Sequence, residues 1–349
     1  MSNYDQFAAA VKEISGGKNV VLLDDLGLPS VYVPINKLKN SEIISGGSEN
    51  THPAFSVNGV EKSRFLYSKY QNIVINGRAY SLSHRDPKTY VNFDQARQAC
   101  EAKGAGFHLG TLAEWAAVAL LTRKMGTMPH GNNNYGGDSA YTYEKGQESA
   151  KDNNKTGRTF TGSGPATWGH DHTQFGIQDM NGNVWEWLGG MRLNEGEIQI
   201  IPYNNAALGS ECDMSASSTL WKAIKNDGSL VAPGTVATLK YDFVSGNIQL
   251  TTGITSAQDA GRGGSYTAMT LASGVTAPEL AKALILYPDE PGKDYGGDYH
   301  WMNNARERLP VAGGGWAGGA GAGVFGLNLD LARSNSYGSI GFRSAYVEL

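Results

Sequence analysis

Apolar residues at helical spacing, alternating strand-like stretches and a high content of turn-forming residues together predict an α+β fold rich in loops. The 349 residues include 46 Gly and 17 Tyr, which disfavours a helix bundle. Hydrophobic residues reach 40% and charged ones only 18%, so the chain has enough apolar material for one large domain, or a large and a small one, and is not disordered.

The first element is a short helix from Tyr4 to Ile14, with Phe7, Ala10, Val11 and Ile14 at helical spacing and Gly16-Gly17 as its stop. Val20-Val21-Leu22-Leu23 and Val31-Tyr32-Val33-Pro34 flank Leu26-Gly27-Leu28-Pro29 and read as two strands and a turn. From Tyr67 the pattern alternates through Ile73, Ile75 and Tyr80. Residues 1–75 are accordingly expected to form a small N-terminal α+β unit for attachment or oligomerisation, ahead of a main domain at 76–349.

A helix follows from Phe93 to Lys103, with Asn92 as N-cap and Gly104 as stop. Thr111 and Glu114 form a capping box for the next helix, Leu112 to Met125. The Asn-, Gly-, Asp- and Thr-rich stretch 129–169 is expected to be a long surface loop, of the kind that is functional or held by an ion. An insertion is expected at about 193–259, with a hairpin around Ser245-Gly246.

Composition excludes some function classes. A net charge of -4, with no Lys or Arg run, gives no field for nucleic acid. Cys100 and Cys212 are too few and too far apart for a disulfide framework. No stretch approaches the ~18 consecutive apolar residues of a membrane span, and the first residues carry no basic-then-apolar signal. Synthesis in the cytoplasm without membrane insertion is expected.

Three segments resemble the formylglycine-generating-enzyme branch of the C-type lectin fold. They are Leu109-Gly110-Thr111-Leu112-Ala113-Glu114-Trp115, Asp179-Met180-Asn181-Gly182-Asn183-Val184-Trp185-Glu186-Trp187, and Arg262-Gly263-Gly264-Ser265-Tyr266 with the later Gly341-Phe342-Arg343. The resemblance implies a C-type lectin fold with loop insertions over 76–349. It also implies a calcium ion held by Asp179, Gly182, Val184 and Glu186, a set of oxygen ligands on a tight turn that suits a hard cation. The residues alone equally allow Asp179 and Glu186 to hydrogen-bond the turn. Trp185 and Trp187 alternate with Glu186 and read as rings entering the core.

Enzymes of that branch use two nearby cysteines to bind copper and oxidise a sulfatase cysteine. This chain has no cysteine after Cys212, so the chemistry lacks its thiolate and a non-catalytic role with no required cofactor is expected.

The segment 313–343 narrows the reading. Gly313-Gly314-x-Trp316, Ala322-Gly323-Val324-Phe325, Leu327-Asn328-Leu329, Ala332-Arg333-Ser334-x-Ser336 and Ile340-Gly341-Phe342-Arg343 resemble the variable region of proteins diversified by retroelements, among them phage tropism determinants. The resemblance implies replaceable, ligand-binding residues at Gly315, Ala317, Gly318, Ala320, Gly321, Gly326, Asp330, Leu331, Asn335, Tyr337, Gly338 and Ser339. Trp316, Val324, Phe325, Leu327, Leu329, Ile340 and Phe342 would anchor them, with Arg333 and Arg343 fixing loops. Tyr337, Leu331 and Asp330 are the expected sources of affinity, Tyr337 first because a rigid amphipathic ring costs little entropy to bury.

Other motifs carry less. Gly313 to Gly318 formally satisfies GxGxxG but opens no βαβ unit. His170-Asp171-His172 reads as a polar loop triplet before a metal site. The aromatic stretch Tyr295 to Trp301 reads as a packed loop, with a place beside the binding face as the alternative. The expected function is a variable receptor-binding protein of a phage tail or cell surface, meeting a protein or surface receptor on a target cell, with a homo-oligomer among the assemblies open to it. A formylglycine-generating-type oxidase and a structural virion protein are the alternatives.

Overall fold

The computed structural model describes residues 3–349. Helix Asn3–Ile14 ends where Gly16 and Gly17 take φ of 60° and 82°, which lets Gly17 N–H reach Lys12 O at 2.7 Å. Its apolar side chains find no cover: Tyr4, Phe7 and Ile14 are exposed. The period marked a helix, not a buried face.

Strands Val20–Leu23 and Pro29–Asn36 pair around a turn in which Asp24 Oδ1 accepts from the backbone N–H of Leu26 and Leu28. Pro29–Asn36 pairs with Arg64–Ser68, which pairs with Ser344–Tyr346, which pairs with Phe107–Leu109. The strand near the C-terminus is thus inserted among strands from the first 110 residues. Phe55, Phe65 and Tyr67 also share one core with Trp115 and Phe325. Residues up to 75 are therefore continuous with the rest, and the boundary expected at 75/76 is not a division of the fold. Local periodicity carries no information about a pairing between positions 67 and 345.

Both helices between the sheets follow their caps. Asn92 Oδ1 accepts from Gln95 N–H at the start of Phe93–Glu101. Thr111 and Glu114 close a reciprocal box on Leu112–Met125, which ends at Gly126 with φ 71°. Residues Leu112 to Leu120 are buried all round, so this helix runs through the middle of the core, and only its last turn, with Met125, reaches solvent.

A thirteen-stranded sheet forms most of the rest, beside three two-stranded ones. Its main path runs Arg262–Ser265, Tyr299–Met302, Leu327–Leu331, Glu307–Ala312, Met191–Asn194, Glu197–Ile200, Lys240–Val244, Asn247–Thr251 and Thr270–Leu271. Trp185–Trp187 joins it between Glu307–Ala312 and Ile340–Phe342. The hairpin expected around Ser245-Gly246 is present, with both residues at positive φ. The segment expected as an insertion at 193–259 extends this sheet, with Leu193 opposite Arg308.

The stretch 129–169 is irregular, and only part of it lies at the surface. Asn132, Asn133, Asp138, Thr159 and Trp168 are buried. Side-chain amides hold it: Asn132 Nδ2 donates to Gly157 O at 2.8 Å and to Asn183 Oδ1 at 3.2 Å, and Asn133 Nδ2 donates to Asn181 Oδ1 at 3.1 Å. These bonds do the work expected of an ion.

Candidate functional site

After strand Glu307–Ala312, Gly313 and Gly314 take φ of 92° and 85°, and the chain folds tightly back on itself. A Cβ on Gly314 would stand 2.3 Å from that of Ala322, so only glycine permits this approach. Gly313 N–H donates to Gly326 O at 3.0 Å and Gly323 N–H to Gly313 O at 3.1 Å, closing the loop at its base. Below it, Trp115 Nε1 donates to Val324 O at 2.7 Å, and Phe325 packs on Tyr266 and Tyr295. Strand Leu327–Leu331 then returns, and a second loop at 332–339 leads into Ile340–Phe342.

The anchors expected at Val324, Phe325, Leu327, Leu329, Ile340 and Phe342 are all buried. Trp316 is not; it is half-buried, pinned by Nε1 to Asp152 Oδ2 at 3.0 Å. Arg333 ties the second loop to Glu307, Asp94 and Met214 O.

Among the replaceable positions, Ala317, Gly318, Ala320 and Tyr337 are exposed, while Gly321, Asn335, Gly338 and Ser339 are partly so. Gly315 and Gly326 are buried. Gly326 belongs to the frame, because its Cβ would stand 3.0 Å from Gly323 O. Asp330 and Leu331 are also less available than expected. Asp330 Oδ1 accepts from Asn303 Nδ2 at 3.0 Å, and Leu331 packs on the cluster around Trp187 and Leu309. Tyr337 remains the largest displayed side chain, its hydroxyl accepting from Asn335 Nδ2 at 3.1 Å.

Trp185 links the two loops. Its N–H donates to Ser339 O at 2.9 Å, and its ring lies 3.5 Å from where a Gly315 Cβ would stand. Trp185 is half-exposed, so the expectation of two rings in the core holds only for Trp187, whose Nε1 donates to Val91 O at 2.9 Å. Trp185 meets Trp301 edge to face at 5.5 Å, and Trp301 lies 4.5 Å from Tyr299. Tyr299 and Trp301 are half-exposed as well, and a Gly321 Cβ would come within 3.2 Å of Tyr299 Cβ. The loop 315–321 therefore borders an aromatic shelf of Trp185, Tyr299 and Trp301. Strand register explains it: Tyr299 and Trp301 are two apart on one strand and share a face. The sequence held that alternation, but within a stretch read as a packed loop.

The chain matches the sulfatase-modifying factor enzyme 1-like domain family over residues 34–268. It belongs to that family. The fold is accordingly of the formylglycine-generating, C-type lectin-like kind, with the match beginning ahead of the expected start at 76. No curated protein matches the chain. Among solved structures it is similar to PvdO from Pseudomonas aeruginosa, at 12% identity and a TM-score of 0.38, covering 94% of this chain and 97% of that one. Treponema denticola variable protein 1 follows at 13% identity and a TM-score of 0.34, covering 94% and 98%. The Major Tropism Determinant U1 variant gives 11% and 0.32, covering 90% and 62%.

Where the resemblance to the family's enzymes implied calcium, this member places an amide and a guanidinium. Gln71 Nε2 donates to Asp179 O at 3.2 Å, Val184 O at 3.1 Å and Glu186 Oε1 at 3.0 Å. Arg343 Nε takes Glu186 Oε2 at 2.7 Å. Gly182 serves the backbone instead, its N–H donating to Gly313 O at 2.8 Å. The carbonyls of Asp179 and Val184 and the carboxylate of Glu186 thus meet nitrogen donors, while Asp179 Oδ2 accepts from Gly162 N–H and its Oδ1 is buried without a partner. Burial pushes the Asp179 carboxyl up to about 6.

Nucleophiles of the family's enzymes have no counterpart on the surface here. Burial pushes the Cys100 thiol far up and the Cys212 thiol up to about 11. His170 is a structural residue: its Nδ1 accepts from Ile177 N–H at 2.8 Å, and burial lowers it to about 4. His172 Nε2 meets Met128 O at 3.0 Å. Among the described residues, no cluster of three or more His, Cys, Asp or Glu side chains is placed to hold a metal.

Proposed function

We propose that this chain is a non-catalytic, variable ligand-binding protein, and that it serves as a receptor-binding component of a phage or prophage particle. One observation carries the reading. Ala317, Gly318, Ala320 and Tyr337 stand exposed on loops whose ends are held by the buried Val324, Phe325, Ile340 and Phe342. Side chains can change there without disturbing the core, and the preordered backbone spares the entropy of ordering a loop on binding. The half-exposed Trp185, Tyr299 and Trp301 add a fixed apolar shelf beside the changeable residues, of the kind that dominates binding energy.

The partner on this reading is a protein or other surface receptor on a target cell, and the site of action is the virion or cell surface. Copies repeated on one particle would strengthen a weak single contact. Among the described residues, no helix is long and apolar enough to cross a membrane. Both cysteines lie buried, which supports binding over thiol chemistry.

Deep sequencing of this coding region across a natural population tests the reading. Substitutions gathered at Ala317, Gly318, Ala320, Gly321, Asn335 and Tyr337, with Phe325 and Phe342 constant, are expected. A uniform or scattered pattern would return a fixed-ligand or structural virion role to first place. Copper-dependent oxidation of a cysteine peptide would establish the oxidase alternative instead.

A further inference from the structure

Beside loop 315–323 lies a recess of ≈ 250 Å³. Ala320, Ala322 and Gly323 line it, and so do Tyr141 and His130. Their rings stack in parallel, with centroids 3.7 Å apart and planes 10° from one another. Asp298 lines the interior and is only 2% exposed. Its Oδ2 accepts from Phe325 N–H at 2.7 Å, which aims the carboxyl at the base of the loop. No Lys or Arg lines this recess.

We infer that the recess receives one guanidinium side chain from the partner protein, with Asp298 as its carboxylate and the Tyr141–His130 stack as its planar support. This deepens the binding reading above and rests on it for the identity of the partner as a protein. Size, charge and shape each contribute. The volume falls below the ~300–1,000 Å³ of pockets for whole small molecules, and suits a single side chain.

The charge balance favours a cation. Asp138, the other lining carboxylate, is occupied by the backbone N–H groups of Gly131, Ala140 and Tyr141 and by Asn133 Nδ2. His130 Nδ1 lies 3.0 Å from Glu144 Oε2, so that nitrogen is already engaged. Asp298 has its Oδ2 on Phe325 N–H, which leaves Oδ1 as the carboxylate oxygen that a ligand can engage. Burial pushes that carboxyl well above its usual range, and an arriving cation favours the ionised form again. Shape selects guanidinium over ammonium: a flat cation stacks on a flat aromatic pair while one of its N–H groups donates to the carboxylate.

The recess also ties specificity to diversification. Ala320 is one of the replaceable positions and lines this cavity, so a larger residue there closes it. Gly323 cannot vary in the same way, because its Cβ would stand 2.2 Å from Asp298 Oδ1.

The test uses N-acetyl-arginine methylamide and its neutral isostere N-acetyl-citrulline methylamide, followed by amide NMR shifts of the full chain. The arginine probe is expected to shift Asp298, Ala320, Gly323 and Phe325 saturably, and the citrulline probe at least tenfold more weakly. Asp298→Asn should lower the arginine affinity at least tenfold. Ala320→Trp, at an exposed position that leaves the core alone, should abolish it, which guards against a folding defect in the first variant.

Equal shifts from both probes, shifts away from the recess, or unchanged affinity in Ala320→Trp would overturn the inference. Failure here with clustered natural variation would leave the binding reading intact. Arginine binding with scattered variation would instead mark a fixed cation site and remove the diversified partner.

Discussion

Arg343 and Glu186 form a fully buried ion pair, with Nε donating to Oε2 at 2.7 Å between residues 157 positions apart. The guanidinium also donates to the carbonyls of Lys69 at 3.0 Å and Gln178 at 2.5 Å, so a single side chain joins the early sheet, the turn before Trp185 and the strand that follows the variable segment. Removing one partner leaves an uncompensated buried charge.

Arg343→Ala is therefore expected to cost about 3–5 kcal/mol. Arg343→Lys should fall between it and the native chain, because an ammonium cannot reproduce the fork. Urea unfolding midpoints at constant m-value provide the check. A loss below about 1 kcal/mol for the alanine variant would show that the pair is not needed to hold these elements together.

Asp179 sets a second prediction. Burial raises its folded carboxyl to about 6, above the unfolded value near 3.8, so the folded state binds the proton more tightly. Stability is then greatest with the group protonated and falls as pH rises from about 4 through about 6. The buried Glu186 carboxyl, also raised by burial, acts in the same direction. Asp179→Asn should flatten the decline without abolishing it. Melting temperatures of both proteins between pH 4 and 7.5 would reveal this, and identical slopes would contradict it.

The two kinds of position in the variable segment should separate cleanly. Ala317→Ser, at an exposed site, is expected to change stability by no more than about 0.5 kcal/mol. Gly314→Ala must place a Cβ 2.3 Å from that of Ala322 at a φ of 85°, and should cost roughly 1–3 kcal/mol or more. Thermal unfolding of the pair decides it; equal tolerance at both positions would mean that the loop base can relax.

The shelf makes an optical prediction. Trp115, Trp168, Trp187 and Trp221 are fully buried, whereas Trp185, Trp301 and Trp316 are half-exposed. In the double variant Trp185→Phe/Trp301→Phe, the acrylamide-quenchable share of the fluorescence should fall and the remaining emission should shift to the blue. An unchanged quenching curve would place the exposed indole emission elsewhere.

Legibility followed range along the chain. The helix beginning at Leu112 was readable because Thr111 and Glu114 lie three residues apart and their bonds are local. The hairpin at Ser245-Gly246 was readable for the same reason. The boundary at 75/76 failed because the pairing of Tyr67 with Ala345 depends on the whole fold. Trp185 was misplaced because period-two alternation gives the side of a strand a ring takes, but not where the cover on that side stops. The frame of the variable segment was legible from its buried aromatics, while Gly315, Gly326 and Trp316 exchanged expected roles according to how closely neighbouring backbone approaches. The recess at Asp298 was hidden, since its walls come from four segments with no shared motif.

Strand Ser344–Tyr346, lying between Arg64–Ser68 and Phe107–Leu109, is made only after every replaceable residue has been translated. Until it docks, the early sheet stays split, with bare edges on either side of the gap. A chain cut short anywhere before this strand would keep those edges open to proteases. Closure of the early sheet thus depends on a strand that lies beyond every position proposed to vary.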